Sequence, residues 1–148
     1  MTEQTRPVPH RVELVAEPRW EDRVTIGRAL DALYGDRVAQ PADWRALCAL
    51  LREDETVLGG VWGNTYWGWL QVEMVFVPEA LRGRGFGARL MTLAEEEAIR
   101  RGCHAAWLET TSFLDPGFYV RRGYRVFAQL EDYPPGHRRL FLRRELGG

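Results

Sequence analysis

The chain has 148 residues, 45% apolar and 28% charged, with a formal net charge of −1. That length fits one compact domain with a sizeable core, and the composition excludes a disordered chain. The near-neutral balance supplies no field for nucleic acid or an anionic membrane, so any anion site must be built locally.

Residues 1–9 are polar with two prolines and are expected to form a loose arm before a single domain that occupies the rest of residues 1–148. His10 to Ala16 alternates, with Val12 and Leu14 set against Arg11 and Glu13, which predicts a first strand. Pro18 opens a helical stretch whose Trp20, Val24, Ala29, Leu30 and Leu33 are read as sharing one side, with Gly35 as its stop. Asp36 to Asp43 reads as turn. Trp44 to Arg52 reads as a strand, although its alanines and leucines also suit a helix. Glu53 to Thr56 is a polar turn, and Val57 to Trp62 is the return strand of a hairpin. Asn64-Thr65 then turns the chain into the longest strand, Tyr66 to Val77, which Pro78 ends because proline cannot donate to a ladder. Phe86 to Arg101 predicts a helix with Leu90, Leu93, Ala94 and Ala98 on one stripe and Gly102 as its C-cap. A strand over Ala105 to Thr110, a short helix over Gly117 to Arg122, and strands over Arg125 to Leu130 and Arg138 to Glu145 complete the pattern. Mixed strands and helices with consecutive hairpins predict an α/β or α+β sheet domain.

The most informative segment runs from Val75 to Ala88. A strand enters a short turn, and the loop Arg82-Gly83-Arg84-Gly85-Phe86-Gly87-Ala88 opens an amphipathic helix. The first turn of a helix leaves N–H groups unpaired at the positive end of the dipole. Glycines let the backbone close on a ligand, and Arg82 and Arg84 add charge. The chemistry calls for a phosphate, most simply a pyrophosphate. Gly83-x-Gly85-x-x-Ala88 also satisfies a dinucleotide fingerprint. Too little chain follows it for a doubly wound sheet, however, and Pro78 to Leu81 separate it from the strand.

At these residues the chain resembles the GNAT superfamily of N-acetyltransferases. The family's pyrophosphate motif is Arg or Gln, two residues, Gly, one residue, then Gly or Ala; Arg82, Gly85 and Gly87 meet it. A second signature, an aromatic pair followed by a glycine-aromatic step, is met by Phe118-Tyr119 and Gly123-Tyr124. The resemblance covers roughly Val57 to Leu142. Trp67-Gly68-Trp69 and the tail Asp132 to His137 are similar to a bacterial subgroup of small domains. The resemblance implies a splayed mixed central sheet of about six to seven strands flanked by helices. It also implies acetyl-CoA as co-substrate, with its pantetheine arm between the strand ending at Val77 and the strand over Ala105 to Thr110. Val75, Phe76 and Val77 would lie along that arm, with Val75 and Val77 bonding it through the backbone. N–H groups from Gly83 to Ala88 would hold the pyrophosphate. Many members contact the pantetheine with an asparagine after the following strand; this chain has Thr111-Ser112-Phe113 there, and Ser112 is the candidate substitute.

Acetyl transfer to an amine requires deprotonation of the amine, stabilisation of the oxyanion and protonation of the leaving thiolate. In the family attack is direct within a ternary complex, and a tyrosine of the second signature is the usual acid, a position held by Tyr119. A backbone N–H near Val75 is the expected oxyanion partner. Glu73 is the leading base: two residues before Val75, it is expected on the same face and among Trp67, Trp69 and Met74, where a carboxylate would resist ionisation. The competing reading leaves Glu73 facing water. His137 and Tyr133 lie on a Pro-Pro-Gly loop that could cover a substrate, although a lone histidine there suits a surface equally well.

The acceptor is expected to be a primary amine of a small molecule, with Trp62, Tyr66, Trp67 and Trp69 available to line its pocket. Acetylation of a protein N-terminus or lysine remains open, as does a non-catalytic module that senses acyl-CoA. Nicotinamide or flavin binding is a further alternative. His10 and His104 have no ligand spacing, so no metal is expected. Cys48 and Cys103 fit reduced thiols, no run reaches the roughly 20 apolar residues of a membrane span, and no apolar stretch follows a basic N-terminus. A cytoplasmic protein is expected, with a homodimer as the default assembly.

Overall fold

The computed structural model describes residues 8–147. Residues 1–7 of the expected arm lie outside the described residues. Two compact units are distinguished, Met1–Ala39 and Gln40–Gly148.

In the first unit, α1 spans Trp20–Arg37. It runs through Gly35, which has no left-handed φ to stop it. The apolar positions do not form the expected single stripe. At 100° per residue Trp20 and Val24 fall together, while Ala29, Leu30 and Leu33 fall on the other side of the axis. His10 to Ala16 forms no strand. Alternation makes a strand only where a neighbour supplies a ladder, and none is formed there.

The second unit is a mixed sheet of six strands among the described residues, in the order β1-β2-β3-β4-β6-β5. β1 (Arg45–Glu53) and β2 (Thr56–Tyr66) form a hairpin closed by Glu53 opposite Thr56. β3 (Trp69–Phe76) follows through the two residues Trp67 and Gly68, both with positive φ, and Tyr66 lies opposite Trp69. Paired positive φ values suit the right-handed twist of a tight hairpin. The turn therefore lies three residues later than expected, Asn64-Thr65 belongs to β2, and β2 is the longest strand. Trp67 is held in its unusual conformation by two bonds, its N–H to Ala42 O and its Nε1–H to Gln40 O, each 3.1 Å. A side chain at Gly68 would come within 2.9 Å of His104 Nδ1.

After a single 3₁₀ turn (Glu79–Leu81), α2 (Phe86–Arg100) crosses one face of the sheet. Its Leu90, Met91, Ala94 and Ala98 pack with Leu47, Val61, Leu70, Val72, Leu108 and Leu142 in one core. Leu93, expected on that stripe, is exposed. The far end of α2 is pinned by Arg101, which donates to Glu97, to Thr65 Oγ1 and to the carbonyls of Arg45 and Ala46. β4 (Ala105–Thr111) runs parallel to β3 and antiparallel to β6 (Arg138–Glu145), and β5 (Arg125–Glu131) closes the far edge. α3 (Gly117–Arg121) connects β4 to β5.

Candidate active site

Two features of β3 create an opening in the sheet. The parallel ladder with β4 stops at the pair Val72 and Leu108. In the antiparallel ladder with β2, Val72 lies opposite Gly63 and Met74 opposite Trp62, so Glu73 is the extra residue of a β-bulge. Beyond the bulge the β4-facing backbone of Met74, Val75 and Phe76 has no ladder partner in β4. An unpaired strand edge invites an extended ligand to bond as a further strand. Val75 and Val77 stand at this opening and pack against the core.

The bulge changes the expected geometry of Glu73. Val75 pairs with Val61 on the core face. Glu73 instead shares the opposite face with Asn64 and Gln71: Asn64 Nδ2 donates to Glu73 Oε1 at 2.7 Å and to Gln71 Oε1 at 3.2 Å. The extra residue interrupts the two-residue period, so Glu73 and Val75 do not share a face. Nor is Glu73 enclosed by tryptophans. It is exposed, Trp67 sits in the hairpin turn, and Trp69 packs edge-on to His104 with the Arg143 guanidinium over its ring. Trp62 is exposed as well.

The open edge leads to the glycine loop. Arg82 folds back and its Nε donates to Val77 O at 2.9 Å. Gly83 and Gly85 have φ of 75° and 81°, where a Cβ is strained. Gly85 caps α2 in this left-handed conformation and no side chain caps the helix. The first intrahelical bond runs from Arg89 N–H to Gly85 O at 3.0 Å. The N–H groups of Phe86, Gly87 and Ala88 therefore lie ahead of the helical ladder, at its positive end. A shallow groove beside them is lined by Ala88, Arg89, Thr92 and Leu93. Exposed Arg84 adds a further cation. Free amides, glycines and arginines at one helix start fit a pyrophosphate.

α3 packs on that first turn. Phe118 lies directly over Gly87, where an added Cβ would be 3.4 Å from Phe118 Cζ, an ordinary van der Waals contact. Phe118 and Tyr119 meet edge-on at 5.0 Å, and Tyr119 meets Tyr124 at 6.0 Å. Burial, with a smaller contribution from Asp115, raises the Tyr119 phenol above its ordinary range, so it keeps its proton at neutral pH. Among the described residues the hydroxyl has no hydrogen-bond partner, which leaves it free to donate.

Ser112 is committed to the other side of β4. Its N–H donates to Arg138 O at 2.8 Å, and its Oγ accepts from Arg138 N–H at 2.9 Å. The hydroxyl oxygen thus bonds towards β6, away from the open edge of β3. His137 stacks edge-on with Phe113, and Tyr133 lies under the Arg139 guanidinium. Among the described residues neither side chain has a hydrogen bond or ring contact with Tyr119 or Glu73. No group of three or more possible metal ligands occurs among the described residues, and no described helix is long and apolar enough to cross a membrane.

Sequence reading missed the residues around these candidates. Asn64, which also donates to Gln71, holds Glu73. Glu95, on α2, accepts from Arg122, from Arg144 and from the Tyr124 hydroxyl. A signal for Glu95 was present, because it falls on the stripe of Met91, Ala94 and Ala98 at helical spacing.

Comparison with known proteins agrees with this architecture. The family model for the acetyltransferase (GNAT) family matches residues 13–125. The blasticidin-S acetyltransferase of Streptomyces morookaense is 44% identical over 89 residues, which are 60% of this chain and 65% of that protein. The chain spans just under two thirds of the length of the curated relatives it matches. A crystal structure from Agrobacterium tumefaciens, described by family as an acetyltransferase, superposes with a TM-score of 0.87 at 33% identity. That match covers 93% of this chain and 100% of the other. The crystal structure of nourseothricin acetyltransferase is 32% identical with a TM-score of 0.57, covering 70% of this chain and 66% of that one. The six-stranded mixed sheet with its flanking helices is the GNAT fold, and the chain belongs to the acetyltransferase (GNAT) family.

Proposed function

We propose that this protein transfers the acetyl group of acetyl-CoA to a primary amine of a small molecule, by direct attack in a ternary complex. The observation that carries the reading is the continuity of the open β3 edge with the uncapped start of α2. An extended arm with a diphosphate at its end fits that continuous surface. The relatives named for blasticidin-S and nourseothricin support a small-molecule acceptor.

Acetyl-CoA supplies an acyl group on a good leaving sulfur. Val75 and Phe76 offer their free backbone edge to the pantetheine, with Val77 beside them although its carbonyl already accepts from Arg82. The amides from Gly83 to Ala88, with Arg82 and Arg84, hold the diphosphate. A backbone N–H near Val75 donates to the developing oxyanion, where a fixed donor contributes most. Tyr119, kept protonated by burial, donates to the departing sulfur. Glu73, oriented by Asn64, accepts the amine's proton directly or through a water. Its exposure allows that exchange with solvent.

The test is thiol release from acetyl-CoA by the full chain with blasticidin S, nourseothricin, spermidine and a lysine peptide in turn. Rapid release with at least one of the first three supports the reading. Release only with the peptide would move the acceptor to proteins. Binding of acetyl-CoA with no release above the amine-free rate would identify a sensing module instead.

A further inference from the structure

The buried carboxylate of Glu95 has no part in the chemistry above, yet three donors converge on it. It is 5% exposed and accepts from the Arg122 guanidinium, from Arg144 at 2.5 Å and from the Tyr124 hydroxyl at 3.3 Å. Two of those residues also grip Tyr119. The N–H groups of Arg122 and Tyr124 both donate to the Tyr119 carbonyl, each at 3.0 Å. The same two residues thus bond Tyr119 through their backbones and Glu95 through their side chains.

α3 has five residues, too few to fix its own geometry in isolation. It is followed by Gly123 with a φ of 94°, which allows the chain to turn there. The tether to Glu95 on α2 therefore adds to the packing of Phe118 and Tyr119 on the core in fixing the Tyr119 end of α3. That same helix begins at Phe86, in the proposed pyrophosphate site. Neutralising Glu95 would leave the Arg122 and Arg144 cations converging without a counter-charge, and their separation would release the turn that carries Tyr119.

We propose that Glu95 is a positioning residue for Tyr119, holding the phenol in register with the pyrophosphate site at the start of α2. The inference rests on Tyr119 acting as the acid, and the experiment separates the two claims.

The kcat is measured for wild type, Glu95→Gln, Tyr119→Phe and the double variant. The acceptor is whichever panel amine is turned over fastest, and calorimetry gives each acetyl-CoA Kd. A small misplacement of a reacting group can cost up to about a hundredfold, so Glu95→Gln is expected to lower kcat at least about tenfold. The acetyl-CoA Kd should stay within about threefold, because the amides of α2 are untouched. In the Tyr119→Phe background the same substitution should change kcat by less than about twofold, since groups acting as a unit are not additive. An equal loss in both backgrounds would overturn the positioning role while leaving Tyr119 as acid. A folded Glu95→Gln protein with kcat within about twofold of wild type would overturn it too. Wild-type kcat in Tyr119→Phe would overturn the acid assignment and the positioning role together. Should Glu95→Gln fail to fold, Arg122→Lys, which keeps the charge and loses the planar fork, undergoes the same four-way comparison with the same criteria.

Discussion

Two carboxylates in the sheet unit receive opposite treatment. Glu95 is buried beneath two arginines and a tyrosine. Glu73 stands exposed on a bulge with Asn64 as its hydrogen-bond donor. A charge buried this way must be saturated with donors, and it then stiffens whatever those donors belong to. A charge left in water on an irregular strand keeps its freedom to exchange protons. The contrast separates a rigid frame of α2, α3 and β6 from the mouth where the β3–β4 ladder stops.

The largest effect expected from breaking the contrast is at Tyr119, the proposed acid carried by the frame. Tyr119→Phe should lower kcat by about 10²- to 10⁴-fold, the usual range for loss of a general acid, with little change in melting temperature. Glu95→Ala should do the reverse to stability. It strands two partly buried guanidinium groups, 17% and 36% exposed. The loss is therefore expected to fall below the roughly 3–5 kcal/mol of a fully buried set, at about 2–3 kcal/mol. Differential scanning calorimetry should show a melting temperature lower by roughly 10 °C. A loss below about 1 kcal/mol, the worth of an exposed pair, would mean that water reaches Glu95 and the frame is not closed.

Smaller effects sharpen the mouth. Glu73→Gln should leave the fold intact and reduce kcat/KM by about 10²-fold if Glu73 is the base, most strongly at low pH where fewer amines are already neutral. Unchanged turnover would remove it from the mechanism. Gly85→Ala forces a Cβ into a left-handed position at a cost of about 1–2 kcal/mol, and calorimetry should show acetyl-CoA binding weakened by roughly tenfold.

The least effect is an alkaline one on the frame. Burial, helped by the Glu95 charge, raises the Tyr124 phenol far above its ordinary 10.0. The folded protein then keeps a proton that the unfolded chain releases above that value. Stability from this group is complete below about pH 10 and falls above it, by about 1.4 kcal/mol per pH unit. Tyr124→Phe should flatten the slope between pH 10 and 11 in urea titrations.

Much of this frame was legible because it is written locally. Arg82, Gly85 and Gly87 before an amphipathic run mark a helix start that holds anions, and chain-local rules suffice to read it. Two kinds of feature resisted. Glu73 and Val75 obey a two-residue period in sequence, but the bulge exists only in the pairing of β3 with Gly63 and Trp62 of β2. The Trp67-Gly68 turn places a bulky residue at positive φ, a choice that depends on the bonds to Gln40 and Ala42. Glu95 lay hidden for a different reason. Glu95 stands in a run of three glutamates, Glu95-Glu96-Glu97, and only the stripe shared with Met91 and Ala98 sets it apart.

In the proposed function one ligand occupies the open β3 edge and the first turn of α2 together. Amide NMR of the full chain, with acetyl-CoA added to saturation, tests it directly. Shifted and exchange-protected N–H signals are expected at Val75 and Val77 and across Gly83 to Ala88, with Arg138 and Arg139 of β6 unchanged. Saturable binding that leaves the Val75, Val77 and Gly83 to Ala88 amides unperturbed would contradict it.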